Sequence, residues 1–178
     1  GSDPQAGLYW LARMLEAGED PLYLARRLIR FASEDIGLAD PQALSLAISV
    51  KDAIHFLGMP EANTALGQLV VYLATAPKSN AVYTAYKAAA DDARKTSHYG
   101  VPLHIRNAPT KLMKDLDYGK EYRYDHEFEN SYFYQNYFPE QMKEKTYYEP
   151  GEYGFEKEVK KRLDWWKKLR DEQGKKKP

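Results

Sequence analysis

The chain contains no cysteine in its 178 residues. Disulfides and thiolate metal sites are therefore excluded, and the composition fits a reducing compartment. There is no excess of charge either. The 26 Lys and Arg residues balance 26 Asp and Glu. The field of the whole molecule therefore attracts neither nucleic acid nor membrane, and any nucleic-acid role must come from local patches. No apolar run approaches the roughly 20 residues that a membrane span needs. The opening Gly1-Ser2-Asp3-Pro4 is no signal peptide; Gly1-Ser2 reads equally as native sequence or a cloning remnant. A phosphate loop of the Gly-x-x-x-x-Gly-Lys-Ser/Thr type is missing, as is Gly-x-Gly-x-x-Gly. No serine or threonine lies in a nucleophile elbow. Glu34-Asp35 and Asp91-Asp92 are adjacent pairs and cannot share a helix face as a catalytic dyad must. His55, His98, His104 and His126 show no spacing of a metal-ligand pair. These residues imply no active site, no metal and no cofactor.

What is present is helical periodicity. A hydrophobic fraction of 43% and a charged fraction of 29% belong to one or two globular domains with a real core. Three Asp-Pro steps, at Asp3-Pro4, Asp20-Pro21 and Asp40-Pro41, each supply an N-cap and a pre-set first helical angle. They open three helices: the first with Leu8, Leu11, Ala12 and Leu15 as its stripe and Gly18 as its stop, the second reaching Ile36-Gly37, and the third ending at Leu57-Gly58. Pro60-Glu61 starts a fourth carrying Leu66, Leu69, Val70 and Leu73, broken by Pro77. Ser79 or Asn80 caps a fifth that reaches about Thr96. Short connections between them imply antiparallel neighbours in a compact all-α bundle.

The character changes at Ser97. Gly100, Pro102 and Pro109 interrupt regular structure, and only a short helix over 110–116 is expected. Residues 118–148 are rich in tyrosine. This composition argues against a disordered linker and for an irregular arm packed across the bundle or a neighbouring subunit. A short hairpin over 132–138 is one arrangement the segment allows. A last helix is expected over 152–172, with Phe155, Val159, Leu163, Trp166 and Leu169 or Arg170 on one face, and residues 174–178 are expected to fray. The division is thus 1–97 as the bundle, 98–150 as the aromatic arm and 151–178 as a basic helix and tail.

Three patches invite a binding role, and each has a plainer reading beside it. Arg26, Arg27 and Arg30 suit phosphate or an acidic partner; equally, they form a solvated helix face paired with Glu34 or Asp35. Lys78-Ser79-Asn80 stands at a helix N-terminus, where anions are favoured; capping explains Ser79 or Asn80 and leaves Lys78 without a role. Lys160, Lys161, Arg162, Lys167, Lys168, Arg170 and Lys175 to Lys177, beside Trp165 and Trp166, combine charge with aromatic surface, as single-stranded nucleic acid prefers; an amphipathic helix with a basic end gives the same pattern.

The run Arg26-Arg27-Leu28-Ile29-Arg30-Phe31-Ala32-Ser33-Glu34-Asp35-Ile36-Gly37-Leu38-Ala39-Asp40-Pro41 fixes both a charged face and a corner. With Tyr72-Leu73-Ala74-Thr75-Ala76-Pro77-Lys78-Ser79-Asn80-Ala81-Val82-Tyr83 it resembles the C-terminal region of the RarA/MgsA family of AAA+ ATPases. The likeness continues through Val101-Pro102-Leu103-His104-Ile105-Arg106-Asn107-Ala108-Pro109-Thr110, Tyr118-Gly119, Tyr147-Tyr148-Glu149-Pro150 and Gly154-Phe155-Glu156, and departs most over 121–145. The resemblance implies a clamp-loader-like helical collar. It implies self-assembly, commonly as tetramers, in a protein of recombination and replication-fork maintenance. ATP and Mg²⁺ then belong to an upstream ATPase module; this stretch itself is not expected to hydrolyse ATP. Single-stranded DNA-binding protein and forked or single-stranded DNA are the implied partners. Location is expected to be cytoplasmic and nucleoid-associated in a bacterium, with no membrane partner. Tyr132, Tyr134 and Tyr137 are the candidate subunit contact, because tyrosine is enriched at interfaces.

Overall fold

A computed structural model describes residues 1–175, with the side chains of 174 and 175 left aside. It is all-α: seven α-helices, linked by short π and 3-10 turns, and no strand among the described residues. They are α1 (Pro4–Glu16), α2 (Pro21–Phe31), α3 (Gln42–Leu57), α4 (Asn63–Thr75), α5 (Ala81–Lys95), α6 (Lys111–Asp115) and α7 (Glu156–Lys175). The chain forms two compact units. One comprises residues 1–88 and 147–161, the other 89–146 and 162 onward.

The first unit is built on the three Asp-Pro steps. Asp3 accepts hydrogen bonds from the N–H groups of Gln5 (2.9 Å) and Ala6 (3.0 Å). Asp20 accepts from Leu22 (3.0 Å) and Asp40 from Gln42 (3.1 Å). Each aspartate satisfies donors that the first helical turn leaves unpaired. Helix α4 supplies the centre of the core: Leu66, Leu69 and Leu73 are buried, together with Leu11, Leu24, Val50 and Ile54. Ala25, Ala43 and Ala47 are fully buried on α2 and α3, so small side chains let the two helices approach closely. Gly7 does the same where α1 meets α4; a Cβ there would lie 2.8 Å from Val70 Cγ1.

Three boundaries differ from the sequence expectation. α-Helical winding ends at Phe31 and widens to a π turn over Ala32–Ile36 before the 3-10 turn Gly37–Ala39. The fourth helix starts at Asn63, not at Pro60, because Gly58 to Ala62 close a turn of their own, with the Ala62 N–H donating to Gly58 O at 2.9 Å. The last helix starts at Glu156, later than the expected start at Glu152. The preceding segment instead lies against the corner: the Phe155 N–H donates to Ala39 O (2.8 Å), and Gly154, at φ +54°, passes so close to that carbonyl that any side chain would collide with it. At its other end α7 keeps helical backbone through Lys175. The rest of the tail expected to fray, 176–178, lies outside the described residues.

The second unit is held differently. Among its described residues only Pro102 is buried. No hairpin forms over 132–138, because side chains take the hydrogen bonds a ladder would have made. The Tyr134 N–H donates to Gln173 Oε1 (2.9 Å), Gln173 Nε2 donates to Tyr132 O (3.1 Å), and the Phe133 N–H donates to Asp125 Oδ1 (3.1 Å). The short helix α6 is present, capped by the Thr110 hydroxyl, which accepts from the Met113 N–H at 3.3 Å.

Candidate functional site

Helix α2, ahead of the corner with α3, carries the first arginine patch. Arg30 Nε donates to Glu34 Oε1 at 2.8 Å across one helical turn, and this bond holds the Glu34 carboxyl below its ordinary range. Both groups are open to solvent, so the pair contributes little to stability. Arg26 places its guanidinium 5.2 Å from the Tyr23 ring centroid. Neither Arg26 nor Arg27 has a carboxylate at ion-pair distance among the described residues. The three arginines therefore do not act alike: one is partnered by an acid, one lies over a ring, and Arg27 faces the groove beside α1.

Lys78 has a definite task. Its ammonium donates to the carbonyls of Leu73 (2.9 Å), Ala74 (3.2 Å) and Ala76 (2.5 Å) at the end of α4. A cation on the last carbonyls of a helix is favoured by the macrodipole. Three acceptors engage all three donors of the ammonium, which leaves it none for an outside anion. Ser79 Oγ accepts from the Ala81 N–H (3.2 Å), and the Ser79 N–H donates to Asp35 O (2.8 Å).

Much of the basic charge of α7 is matched by acids. Lys160 pairs with Glu152 at 2.8 Å and Lys161 with Glu158 at 2.7 Å in the first unit. Arg170 pairs with Glu144 at 2.6 Å in the second. Lys167 and Lys168 are exposed. Lys176 and Lys177 lie outside the described residues. In the tyrosine arm, Tyr132 packs on Trp166 (4.8 Å between centroids), and the Tyr134 hydroxyl donates to Glu144 Oε2 (2.8 Å). Burial raises the titration range of both phenols. Tyr137 is 50% exposed. Its hydroxyl accepts from Gln135 Nε2 (3.5 Å) and its ring lies 6.2 Å from that of His104, so all three candidate interface tyrosines have partners inside their own unit, Tyr137 the weakest.

With this geometry in view, comparison with known proteins is decisive. The model of the MgsA AAA+ ATPase C terminal matches residues 1–167. The chain belongs to this family. It is 52% identical over 166 residues to replication-associated recombination protein A of Escherichia coli K12, covering 93% of the chain and 37% of that protein. The protein of the same name from Coxiella burnetii is 49% identical over 173 residues, covering 97% and 39%. ATPase WRNIP1 of Dictyostelium discoideum is 50% identical over 150 residues, covering 84% and 17%. The chain therefore spans less than two fifths of the length of these bacterial relatives.

In this MgsA C-terminal chain, two features lie beyond what sequence reasoning finds. Glu156 is fully buried at the start of α7, where its carboxylate accepts from the Tyr148 hydroxyl (2.9 Å) and the Gly151 N–H (2.8 Å). Burial and this bond push the Tyr148 phenol up to about 12. No periodic pattern marks such a residue, since a glutamate at a helix start reads as ordinary dipole compensation. The other feature is on α1, where Tyr9 is 58% and Trp10 55% exposed, with the Arg13 guanidinium 5.2 Å from the Trp10 ring and 6.0 Å from the Tyr9 ring. Both aromatic residues lie off the Leu8-Leu11-Leu15 stripe, and a tryptophan off the stripe is the signal that could have found them. Among the described residues, no helix is long and apolar enough to cross a membrane.

Proposed function

We propose that this chain is the non-catalytic self-assembly region of a clamp-loader-like AAA+ ATPase acting in DNA recombination and replication-fork maintenance. It would gather copies, with four as the expected number, so that ATPase modules carrying ATP and Mg²⁺ stand together around DNA. The observation that carries the reading is uncovered apolar surface on an otherwise well-filled bundle. At the end of α3, Phe56 is 90% exposed, followed by Leu57 and Met59. Beside Met59 runs an open groove of about 840 Å³ between α1 and α4, lined by Leu8, Leu15 and Val71. A projecting ring and an apolar groove on one protomer suit a head-to-tail contact, which closes into a ring when the rotation allows. A stable interface of this kind removes roughly 1,200 Å² or more from water.

The names of the relatives support the cellular role, and their greater length supports an ATPase module elsewhere in such a protein. The tyrosine arm is the alternative contact, reduced in appeal because Tyr132 and Tyr134 are engaged within their unit. Light scattering on a sizing column tests both. A mass near four times 20.5 kDa is expected, falling for Phe56→Asp and unchanged for the Tyr132, Tyr134 and Tyr137 to Ser triple variant. A monomer at every concentration rejects assembly through this region. Loss of assembly in the triple variant alone assigns the contact to the arm.

A further inference from the structure

We infer that a cavity in the second unit is a docking site for an arginine side chain carried on a peptide segment of another protein. The cavity measures about 450 Å³, and all of its lining belongs to that unit. Two stretches of chain face each other across it, and the Gln135 carboxamide ties them together. Gln135 Oε1 accepts from the Arg123 N–H (3.1 Å), and Gln135 Nε2 donates to Arg123 O (2.8 Å). Asn136 Oδ1 accepts from the Phe138 N–H (3.0 Å) and so fixes the next turn of the wall. Pro102, Phe133 and Phe138 give the lining its apolar part. Glu121 stands in the lining at φ +63°, a left-handed conformation that costs energy for a residue with a Cβ. Strain of this kind collects at binding sites.

The polar groups of the lining select the occupant. Glu121 and Glu140 have no cation at ion-pair distance among the described residues. His104 lines the same cavity, and its Nε2 is out of water without a hydrogen-bond partner. A buried polar atom left so is rare in a folded protein and marks a place where a further group belongs. Carboxylates accept hydrogen bonds, and so does an unprotonated imidazole nitrogen. These acceptors do not converge on one point: among the described residues no three such groups could hold a metal ion. An extended donor fits them better, and a guanidinium carries five N–H donors on a planar fork. Its stem packs on apolar walls while its head stays charged. The cavity's own cation, Arg123, lies over the Phe133 ring at 4.6 Å from the centroid. Two carboxylates thus stand against one guanidinium in the lining, which disfavours an anion. Tyr122 and Tyr137, next to lining residues in the chain, are each about half exposed. They offer ring surface to the residues that flank the arginine, which a free amino acid would leave unused. The assembly proposed above uses the first unit, and neither reading depends on the other.

The test is calorimetric titration of the whole chain with the peptide Gly-Ser-Gly-Leu-Arg-Leu-Gly-Ser-Gly, acetylated and amidated, at about 50 mM and about 200 mM salt. Binding that weakens with salt is expected. Citrulline in place of the arginine keeps the shape and removes the charge, and should weaken binding about 10-fold or more. Glu121→Gln with Glu140→Gln should weaken it about 10- to 100-fold, the worth of one charge-assisted hydrogen bond. Arg123→Met keeps the stem and removes the like charge, and should tighten it about 2- to 5-fold. A cavity built for an anion moves the other way. His104→Phe should weaken binding about 3- to 10-fold without lowering the melting temperature of the free chain, because the nitrogen it removes has no partner to lose. Melting temperature and molar mass are read for every variant, and if the glutamate pair melts early, His104→Phe and Arg123→Met carry the test. Absence of heat at about 1 mM peptide, the weak end of specific binding, would overturn the inference. So would equal binding of the citrulline peptide or of one with glutamate at that place. Affinity unmoved in a folded glutamate variant, or weakened by Arg123→Met, would overturn it as well. A fall in molar mass on adding the peptide would assign the cavity to contact between copies of this chain instead.

Discussion

The two units of this chain hold themselves together in opposite ways. The first buries a continuous set of leucines, isoleucines and alanines between helices, with Ile36, Leu66, Leu69 and Leu73 almost wholly out of water. The second buries only Pro102 among its described residues, and relies on ring contacts, a carboxamide bridge and ion pairs such as Lys145–Asp92 and Arg170–Glu144. The first kind of cohesion is non-directional and scales with apolar area. The second is directional, because each hydrogen bond is worth little net but costs more when broken halfway. The difference separates a scaffold from a region whose shape depends on a few polar side chains.

The strongest way to break this contrast is to open the first core. Leu69→Ala should cost about 3–5 kcal/mol, since the site sits between packed helices that cannot collapse onto it. The loss is read from urea unfolding by far-ultraviolet dichroism. A cost under about 1 kcal/mol would mean that the α4 packing is loose. Next comes the junction at residues 154–156. Gly154→Ala should cost about 3 kcal/mol, because it combines a positive φ with a collision against the Ala39 carbonyl. Glu156→Ala should cost about 2–4 kcal/mol by leaving the Tyr148 hydroxyl and the Gly151 N–H without their buried acceptor.

In the second unit the expected effects are smaller and local. Gln173 spans two backbone groups of the arm. Gln173→Ala should cost about 1–2 kcal/mol. It should appear as faster amide exchange at Tyr134 while the amides of α4 keep their protection. Equal acceleration in both places would show that the two units open as one cooperative body and would erase the contrast.

The same contrast explains what is legible in the sequence. In the first unit, apolar spacing and three Asp-Pro caps locate α1, α3 and the start of α2 to within a residue or two, because burial and capping are both periodic or local signals. The start of α4 is hidden because Pro60 closes a separate turn, and the π widening after Phe31 leaves no mark in the spacing. Lys78 stands out in the sequence as a lysine that capping does not explain. Its role comes from three carbonyls of the helix end it folds back upon, which no motif describes. In the second unit, the links between Gln173 and Tyr134, or Glu144 and Arg170, join residues dozens of positions apart, and no local pattern announces them. The exposed Trp10 is hard to see for a related reason: an apolar stripe draws attention to what a helix buries, not to what it leaves out.

The smallest effect, invisible at neutral pH, concerns the phenols. Folding raises the Tyr148 titration from about 10 to about 12, through burial first and then the bond to Glu156. A raised phenol pKa means that the folded state holds the proton more tightly than the unfolded chain does. The resulting stability is complete below pH about 10 and is lost as pH climbs through about 12. Tyr72 shifts the same way, chiefly through its 2.7 Å bond to Asp40, and so does Tyr134 in the second unit, chiefly through burial. Chemical denaturation at several pH values from neutral to about 11 should therefore show falling stability in alkali. Tyr148→Phe should reduce that slope more than Tyr134→Phe does, because the phenylalanine variant has no proton to lose and Tyr148 carries the larger shift, up to about 12. If Tyr134→Phe flattened the slope more, the tyrosine arm would be the more tightly ordered of the two units in alkali, and the ranking drawn from burial would have to be reversed.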